Sequence, residues 1–307
     1  MNNNNKNITI YTNDKINNNL HPLVSVITVC LNSKKYIEKT ITSVINQTYR
    51  ELEYIIVDGS SNDGTLDIIK KYDSNINCWV SEPDEGIYDA MNKGIKLSSG
   101  DWLTFLNSGD RFNNDTVIEK VVEVCNKDKT RLDTISFIYG NAIYEDAQTG
   151  LRFRKGKEIK GIKDFYFSIR NIGLNPICHQ TVFFRRYLFN KIGFYNKKLK
   201  IIGDYEWFIR FFTSKEKYVL EYINSDLVYF QMGGLSFKYL GESLIESNNV
   251  IKKYFPFPNF ILFKIFLPFL YLKYKLTILI GDTALFKIYR ILKYRILNKS
   301  KGNINYS

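Results

Sequence analysis

Three carboxylates stand where polar residues close apolar runs. Asp58 ends Leu52 to Val57 and is followed by Gly59-Ser60-Ser61-Asn62-Asp63-Gly64-Thr65. A carboxylate beside a glycine can meet a ligand that approaches the backbone closely, commonly through a ribose hydroxyl or a base N–H. An Asx turn or a helix cap is the competing reading, and Asp63 reads as the cap of the helix after Gly64. Asp110 ends Asn107-Ser108-Gly109-Asp110, which follows Leu103-Thr104-Phe105-Leu106. An acid there could hold Mg²⁺ or Mn²⁺, hard ions that take few protein carboxylates and complete their shell with phosphate oxygens. A β-turn accounts for the same residues. Asp204, in Gly203-Asp204-Tyr205-Glu206-Trp207-Phe208-Ile209-Arg210, opens an apolar helix. A carboxylate against aromatic surface can act as a general base, and an N-cap is the alternative.

Other chemistries are disfavoured by what is missing. His21 and His179 are the only histidines, which excludes a multi-histidine zinc site, and no Gly-x-Ser-x-Gly elbow supports a hydrolase triad. His179, in Asn175-Pro176-Ile177-Cys178-His179-Gln180, could touch a ligand or serve as a hydrogen-bonded structural residue. Cys30, Cys78, Cys125 and Cys178 are widely spaced with no Cys-x-x-Cys pair, and read as reduced thiols of an intracellular protein. The stretch from Ser81 to Gly94 (Ser-Glu-Pro-Asp-Glu-Gly-Ile-Tyr-Asp-Ala-Met-Asn-Lys-Gly) holds more functional side chains than a solvated helix needs. A surface pair between Asp89 and Lys93, four residues apart, is the bland alternative.

The elements that must position these residues follow from periodicity. Leu23 to Cys30 is a β-branched run of strand length, and Lys35 to Gln47 puts Ile37, Ile41, Val44 and Ile45 on one helical stripe. Leu52 to Val57, Ile76 to Val80 and Trp102 to Leu106 predict further strands. Leu66 to Tyr72 and the stretch bearing Ile87, Met91 and Ile95 predict helices between them. Such alternation predicts a mostly parallel sheet with helices on both faces, whose ligands sit beyond the strands' carboxyl ends. A dinucleotide-binding domain is disfavoured, because no Gly-x-Gly-x-x-Gly follows the first strand. Thr134 to Ala142 and Tyr218 to Tyr229 read as strands, and Arg186 to Ile192 and Asp204 to Thr213 as helices.

The chain of 307 residues carries a formal charge of +12, but its distribution is uneven. Residues 251 to 307 hold eleven bases and one acid, Asp282, a net of +10, which leaves +2 for the rest. Residues 1 to 21 read as a flexible Asn-rich leader. Residues 22 to 240 read as the folded α/β body, in two parts at 22 to 130 and 131 to 240. Residues 241 to 307 form a basic amphipathic helical tail. Its apolar run (Phe257, Phe260 to Phe263, Ile265 to Leu267) is interrupted by Lys264, Pro268 and Lys273, so it reads as an interfacial segment on anionic lipid. A helix docked on the catalytic body is the alternative. Its apolar density is too high for a nucleic-acid-binding arm.

Taken in order, Val24-Ser25-Val26-Ile27-Thr28-Val29-Cys30-Leu31-Asn32, Ser43-Val44-Ile45-Asn46-Gln47-Thr48, Ile56-Val57-Asp58-Gly59-Ser60-Ser61-Asn62-Asp63-Gly64-Thr65, the Asp84 to Gly94 stretch and Asn107-Ser108-Gly109-Asp110 resemble the inverting glycosyltransferases of the GT-A fold, glycosyltransferase family 2. Within the family the likeness is to bacterial exopolysaccharide, colanic-acid and capsule enzymes. The resemblance implies a Rossmann-like α/β sheet and a nucleotide-sugar donor, commonly a UDP-sugar. Thr28, Asn32 and Asp58, with Asp84, Lys93 and Asn107, fall on the donor side, and His179 and Gln180 on the acceptor side. Asp110 matches the metal-holding end of the family's Asp-x-Asp region, with Asn107 and Gly109 where acids are usual, so Mg²⁺ or Mn²⁺ is implied. Asp204 matches the catalytic base, in a Gly-Asp form of the usual Glu-Asp. Gly59 stands where many relatives carry a second Asp. The processive Gln-x-x-Arg-Trp motif is replaced by Gln231-Met232-Gly233-Gly234, which implies transfer of a single sugar to a glycan or lipid-linked acceptor. The expected location is cytoplasmic, on the inner face of the membrane. A noncatalytic sugar-binding relative and a nucleic-acid-binding protein are the rival readings.

Overall fold

A computed structural model describes residues 21–127, 134–146, 150–161, 164–165, 177–234 and 238–254. The expected leader, apart from His21, and the tail beyond residue 254 lie outside them. The parallel half contains β1 (Val24–Cys30), α1 (Ile37–Ile45), β2 (Leu52–Asp58), α2 (Thr65–Lys71), β3 (Cys78–Ser81), α3 (Ile87–Leu97) and β4 (Trp102–Phe105). β1 pairs in parallel with both β2 and β4, and β2 with β3. These strands are apolar on both faces because both faces are covered. Side chains alternate along a strand. Val24 and Val26 of β1 therefore join Tyr54 and Ile56 of β2 in one core, with Ile37, Ile41 and Val44 of α1. Ile27 and Val29 join Ile55, Val57, Leu103 and Phe105 in the other, against Met91 and Ile95 of α3.

The second half completes the sheet with mixed directions. β5 (Arg111–Phe112), α4 (Val117–Lys127), β6 (Ile135–Asp146), β7 (Arg152–Lys155), β8 (Val182–Arg185), α5 (Tyr187–Lys191), α6 (Gly203–Thr213), β9 (Val219–Met232) and α7 (Leu240–Tyr254) follow. The strand order is β3-β2-β1-β4-β8-β6-β9-β5, with β7 paired to β6. β8 is antiparallel to both β4 and β6, so β6 and its parallel neighbour β9 run in the direction of β4. The carboxyl ends of β1, β2, β4, β6 and β9 therefore open on one edge. α4, β5, β7 and β8 are additional to the expected elements; α4 does carry a helical stripe of Val117, Ile118, Val121 and Val122, all buried.

The break expected at residue 240 is not a break in packing. Val250 and Ile251 of α7 are buried in the core, and Tyr254 donates to Glu206 Oε1 at 2.6 Å. The Glu246 carboxylate accepts from the backbone N–H groups of Lys200, Ile201 and Ile202 at 2.7–3.2 Å. The start of the expected tail thus packs into the same core as the sheet. Among the described residues no helix is long and apolar enough to cross a membrane.

Candidate active site

The edge of β1 and β2 is built around Asp58. Its Oδ2 accepts from Ser61 N (2.9 Å) and Ser81 Oγ (2.7 Å), and its Oδ1 from Ser61 Oγ (2.5 Å). The residue is fully buried, so these bonds compensate a charge taken out of water. They also fix the turn, in which Ser60 takes the left-handed backbone at φ 63°. Asn32, also left-handed at φ 48°, donates its N–H to Ser61 Oγ and accepts from Asn62 N at 3.0 Å. The two loops are thereby laced together, with Asn32 exposed at the rim. Asp63 accepts from Thr65 N at the start of α2 and from Lys34 N, but Gly64 is the N-cap, so Asp63 closes an Asx turn before the helix and is not the cap expected of it. Thr28 lies elsewhere. Its hydroxyl donates to Leu106 O at 2.8 Å, lies 3.1 Å from Tyr54 Oη, and has no exposed surface. The nucleoside contact expected of Thr28 is corrected to a bond holding β1 to the end of β4.

Asp84 explains one departure from the family pattern. A Cβ placed on Gly59 would collide with the Asp84 carboxylate, so the side chain of residue 84 occupies the space a larger residue 59 would claim. Asp84 Oδ1 also accepts from Gly86 N at 2.9 Å, and Gly86, at φ 126°, turns the chain into α3. Lys93 bonds Pro83 O and Glu82 at 2.8 Å each and lies 3.7 Å from Asp89. It clamps the Asp84 loop to α3, so the expected ligand contact at Lys93 is occupied by the protein's own groups.

Asp110 is buried between elements that the sheet brings together. Its Oδ1 accepts from Gln231 N at 2.9 Å at the end of β9, and Gln180 donates to the carboxylate as well. Thr40 of α1 donates to its carbonyl at 2.7 Å. Burial outweighs the help of Gln231, Gln180 and Arg111 and pushes the carboxyl up to about 7. The Asn107 Oδ1 and Ser108 Oγ atoms beside it are buried without hydrogen-bond partners. Among the described residues no three His, Cys, Asp or Glu converge. One carboxylate flanked by unpartnered oxygens fits a hard divalent ion that draws the rest of its shell from diphosphate and water.

Asp204 is the second residue of α6, after Ile202 at the N-cap, so the cap reading is not realised. It alone among Gly203–Ile209 remains partly open, while Trp207, Phe208 and Ile209 behind it are buried. Tyr88 donates to its Oδ1 at 3.0 Å. The Tyr88 ring also explains the second departure, because a Cβ on Gly203 would come within 2.8 Å of it. His179 lies beneath. Its Nε2 is 2.6 Å from Tyr195 Oη, and its ring packs on Phe105 at 4.9 Å. Burial holds it neutral, with a pKa lowered to about 4 despite the charge of Asp204. His179 is 4 % exposed and its Nε2 is engaged by Tyr195, which is the hydrogen-bonded structural role that stood as the alternative to an acceptor contact. Gln180, expected beside it, serves Asp110 instead.

Asp110 and Asp204 both lie within electrostatic reach of Tyr144 on β6. The Tyr144 phenol is pushed well up by burial, then by Cys178, and in the same direction by both carboxylates. Lys155 of β7, its pKa lowered by desolvation, holds its ammonium 5.5 Å over the Tyr144 ring. Tyr88, Gln231, Tyr144 and Lys155 carry no individual assignment from sequence. Tyr88 and Gln231 lie in stretches singled out there, but their partners are more than a hundred residues away in the chain. A cleft of about 250 Å³ between Tyr139, Phe212 and Tyr222 lies at the far end of α6, about 12 Å along the helix from Asp204, and is not part of this edge.

The carboxyl edge of this mostly parallel α/β sheet, with its laced turn, buried acid and half-open acid, is where such folds bind their ligands. The sequence profile described as Glycosyl transferase family 2 matches residues 25–193, more than half of the chain. A PGL/p-HBAD biosynthesis glycosyltransferase of Mycobacterium bovis is 32% identical over 219 residues, covering 70% of this chain and 79% of that protein. The mannosyltransferase PcManGT of Pyrobaculum calidifontis, solved with GDP-Man and Mn²⁺, superposes with a TM-score of 0.55 at 16% identity, over 92% of this chain and 77% of that one. Staphylococcus aureus TarS 1-349 in complex with UDP-GlcNAc gives 0.50 at 18% identity, over 76% and 67%. The chain belongs to glycosyl transferase family 2 and is a glycosyltransferase with the GT-A fold.

Proposed function

We propose that the enzyme transfers one sugar from a nucleotide-sugar donor, a UDP-sugar, to a hydroxyl of a glycan or lipid-linked acceptor with inversion, in surface polysaccharide biosynthesis. The half-open carboxylate of Asp204, bonded to Tyr88 of the helix that follows the Asp84 loop, carries this reading. Asp204 takes the proton of the acceptor hydroxyl, whose oxygen attacks the anomeric carbon from the face opposite the nucleotide, and a single displacement inverts that carbon. The Asp58 turn, Asn32 and Asp84 shape the nucleoside side. Asp110, with Asn107 and Ser108, would hold a Mg²⁺ or Mn²⁺ ion, which when bound neutralises charge on the departing diphosphate. Neutral His179 and the aromatic cluster around Trp207 keep water from beneath the base.

The basic tail beyond residue 254 is proposed to rest on anionic lipid at the inner face of the membrane, beside a lipid-linked acceptor. The test of the enzyme reading is nucleotide release from UDP-, GDP- and dTDP-sugars, with Mn²⁺ and with membrane extract as acceptor, by the full chain and by Asp204→Asn. Release is expected to fall by about 100- to 10,000-fold in the variant. An equally active Asp204→Asn would leave the base unassigned, and failure of every nucleotide sugar to bind or turn over would sink the donor site.

A further inference from the structure

Tyr88 and Asn92 are four residues apart on α3, so they share one face of that helix. That face is buried against the chain leading into α6. Asn92 clamps Tyr195 on both sides, donating to its carbonyl at 2.9 Å and accepting from its N–H at 3.0 Å. Tyr88 exposes 4 % of its surface, and its ring lies against Gly203. Its hydroxyl stands 2.7 Å from Ile201 O and 3.0 Å from Asp204 Oδ1.

A phenol has one proton, and here it has two acceptors. While Asp204 is ionised, the bond to its carboxylate is the charge-assisted and stronger one. Once Asp204 holds a proton, it can donate to the phenol oxygen, and the phenol can turn its O–H to Ile201 O. Both states of the carboxylate are then satisfied without movement of the ring. Burial, followed by the charge of Asp204, keeps the Tyr88 phenol far above its ordinary range, so it remains O–H throughout.

We propose that Tyr88 is a positioning residue for Asp204, holding its carboxylate in one rotamer and serving both of its protonation states by swinging one O–H between Asp204 and Ile201. This rests on the assignment of Asp204 as the base. The proposal ties the donor loop to the base, since the helix that begins after Asp84 carries the group that orients Asp204.

The test is steady-state kinetics of the full chain with Mn²⁺ and the nucleotide sugar that turns over fastest in the panel above. Tyr88→Phe is expected to lower kcat by about 10- to 100-fold while leaving donor KM within about twofold. In an Asp204→Asn background the same change is expected to cost less than about twofold more, because the phenol acts through the carboxylate. Gly203→Ala, which keeps the hydroxyl but pushes the ring aside, is expected to reproduce the kcat loss and covers the case in which Tyr88→Phe folds poorly. A crystal structure of Tyr88→Phe is expected to show the Asp204 carboxylate in a changed rotamer. Wild-type kcat in Tyr88→Phe with a merely lowered Tm, a full additional loss in the double variant, or an unmoved Asp204 would overturn the positioning role. An active Asp204→Asn would overturn the base assignment itself, a separable result.

Discussion

Asp110→Asn is expected to stabilise the metal-free enzyme at alkaline pH and to do nothing at acid pH. Asp110 is 4 % exposed, and burial raises its carboxyl from its ordinary 3.8 to about 7. Below about pH 4 it is protonated both folded and unfolded, and its burial costs nothing by linkage. Between 4 and 7 the folded chain keeps a proton that the unfolded chain has lost, so stability falls as pH rises. Above 7 the loss is complete, and carrying a carboxyl over that range corresponds to about 4 kcal/mol as an upper limit. Asparagine has the same shape, can still accept from Gln231 N, and carries no charge to bury. The Tm of the variant, measured in EDTA, should therefore rise above wild type by up to about 8 °C at pH 8 and converge with it near pH 4. Taking the difference at each pH removes what other groups contribute. Mn²⁺ with a nucleotide sugar should stabilise wild type at pH 8, where the ion replaces the proton, and not the variant. Parallel Tm curves from pH 4 to 8 would refute the claim that burial holds Asp110 protonated.

Gly59→Ala sets a Cβ against the Asp84 carboxylate, which can swing away, so it should cost less than about 1 kcal/mol and raise donor KM, read by denaturant unfolding and kinetics. Burial lowers His179 to about 4 from 6.5, so the neutral ring contributes stability that is complete above 6.5 and lost as pH falls towards 4. His179→Gln should remove up to about 3 kcal/mol of that acid sensitivity, seen as a flatter Tm profile between pH 7 and 4. Glu246→Ala leaves the N–H groups of Lys200, Ile201 and Ile202 without their acceptor. It should cost about 1–3 kcal/mol and lower kcat with little change in donor KM, whereas a wild-type kcat would show that α7 does not support the base.

The parallel half of the fold was legible in the sequence because it is written locally. Each strand from β1 to β4 is a contiguous apolar run ending in polar residues, and period-2 alternation assigns its two faces without reference to anything distant. Asp58, Asp110 and Asp204 could be singled out for the same reason, each standing at the junction of an apolar element and a turn. What such a pattern cannot carry is which atoms are already spent. Thr28 looks available at the end of a strand, but its hydroxyl belongs to Leu106, 78 residues on. His179 looks free for a ligand, but its Nε2 is engaged by Tyr195 and its ring packs on Phe105. Glycines at 59 and 203 look like losses from a motif, and only packing shows Asp84 and Tyr88 filling their places. β8, β6 and β9 pair across long separations with short or irregular runs, so their directions depend on closure of the sheet. Sequence determined the elements and the acids at their ends. Tertiary structure decided which acid is buried towards neutrality, which is left half-open, and which phenol holds it, because burial and hydrogen-bond partnership are properties of contacts between residues far apart in the chain.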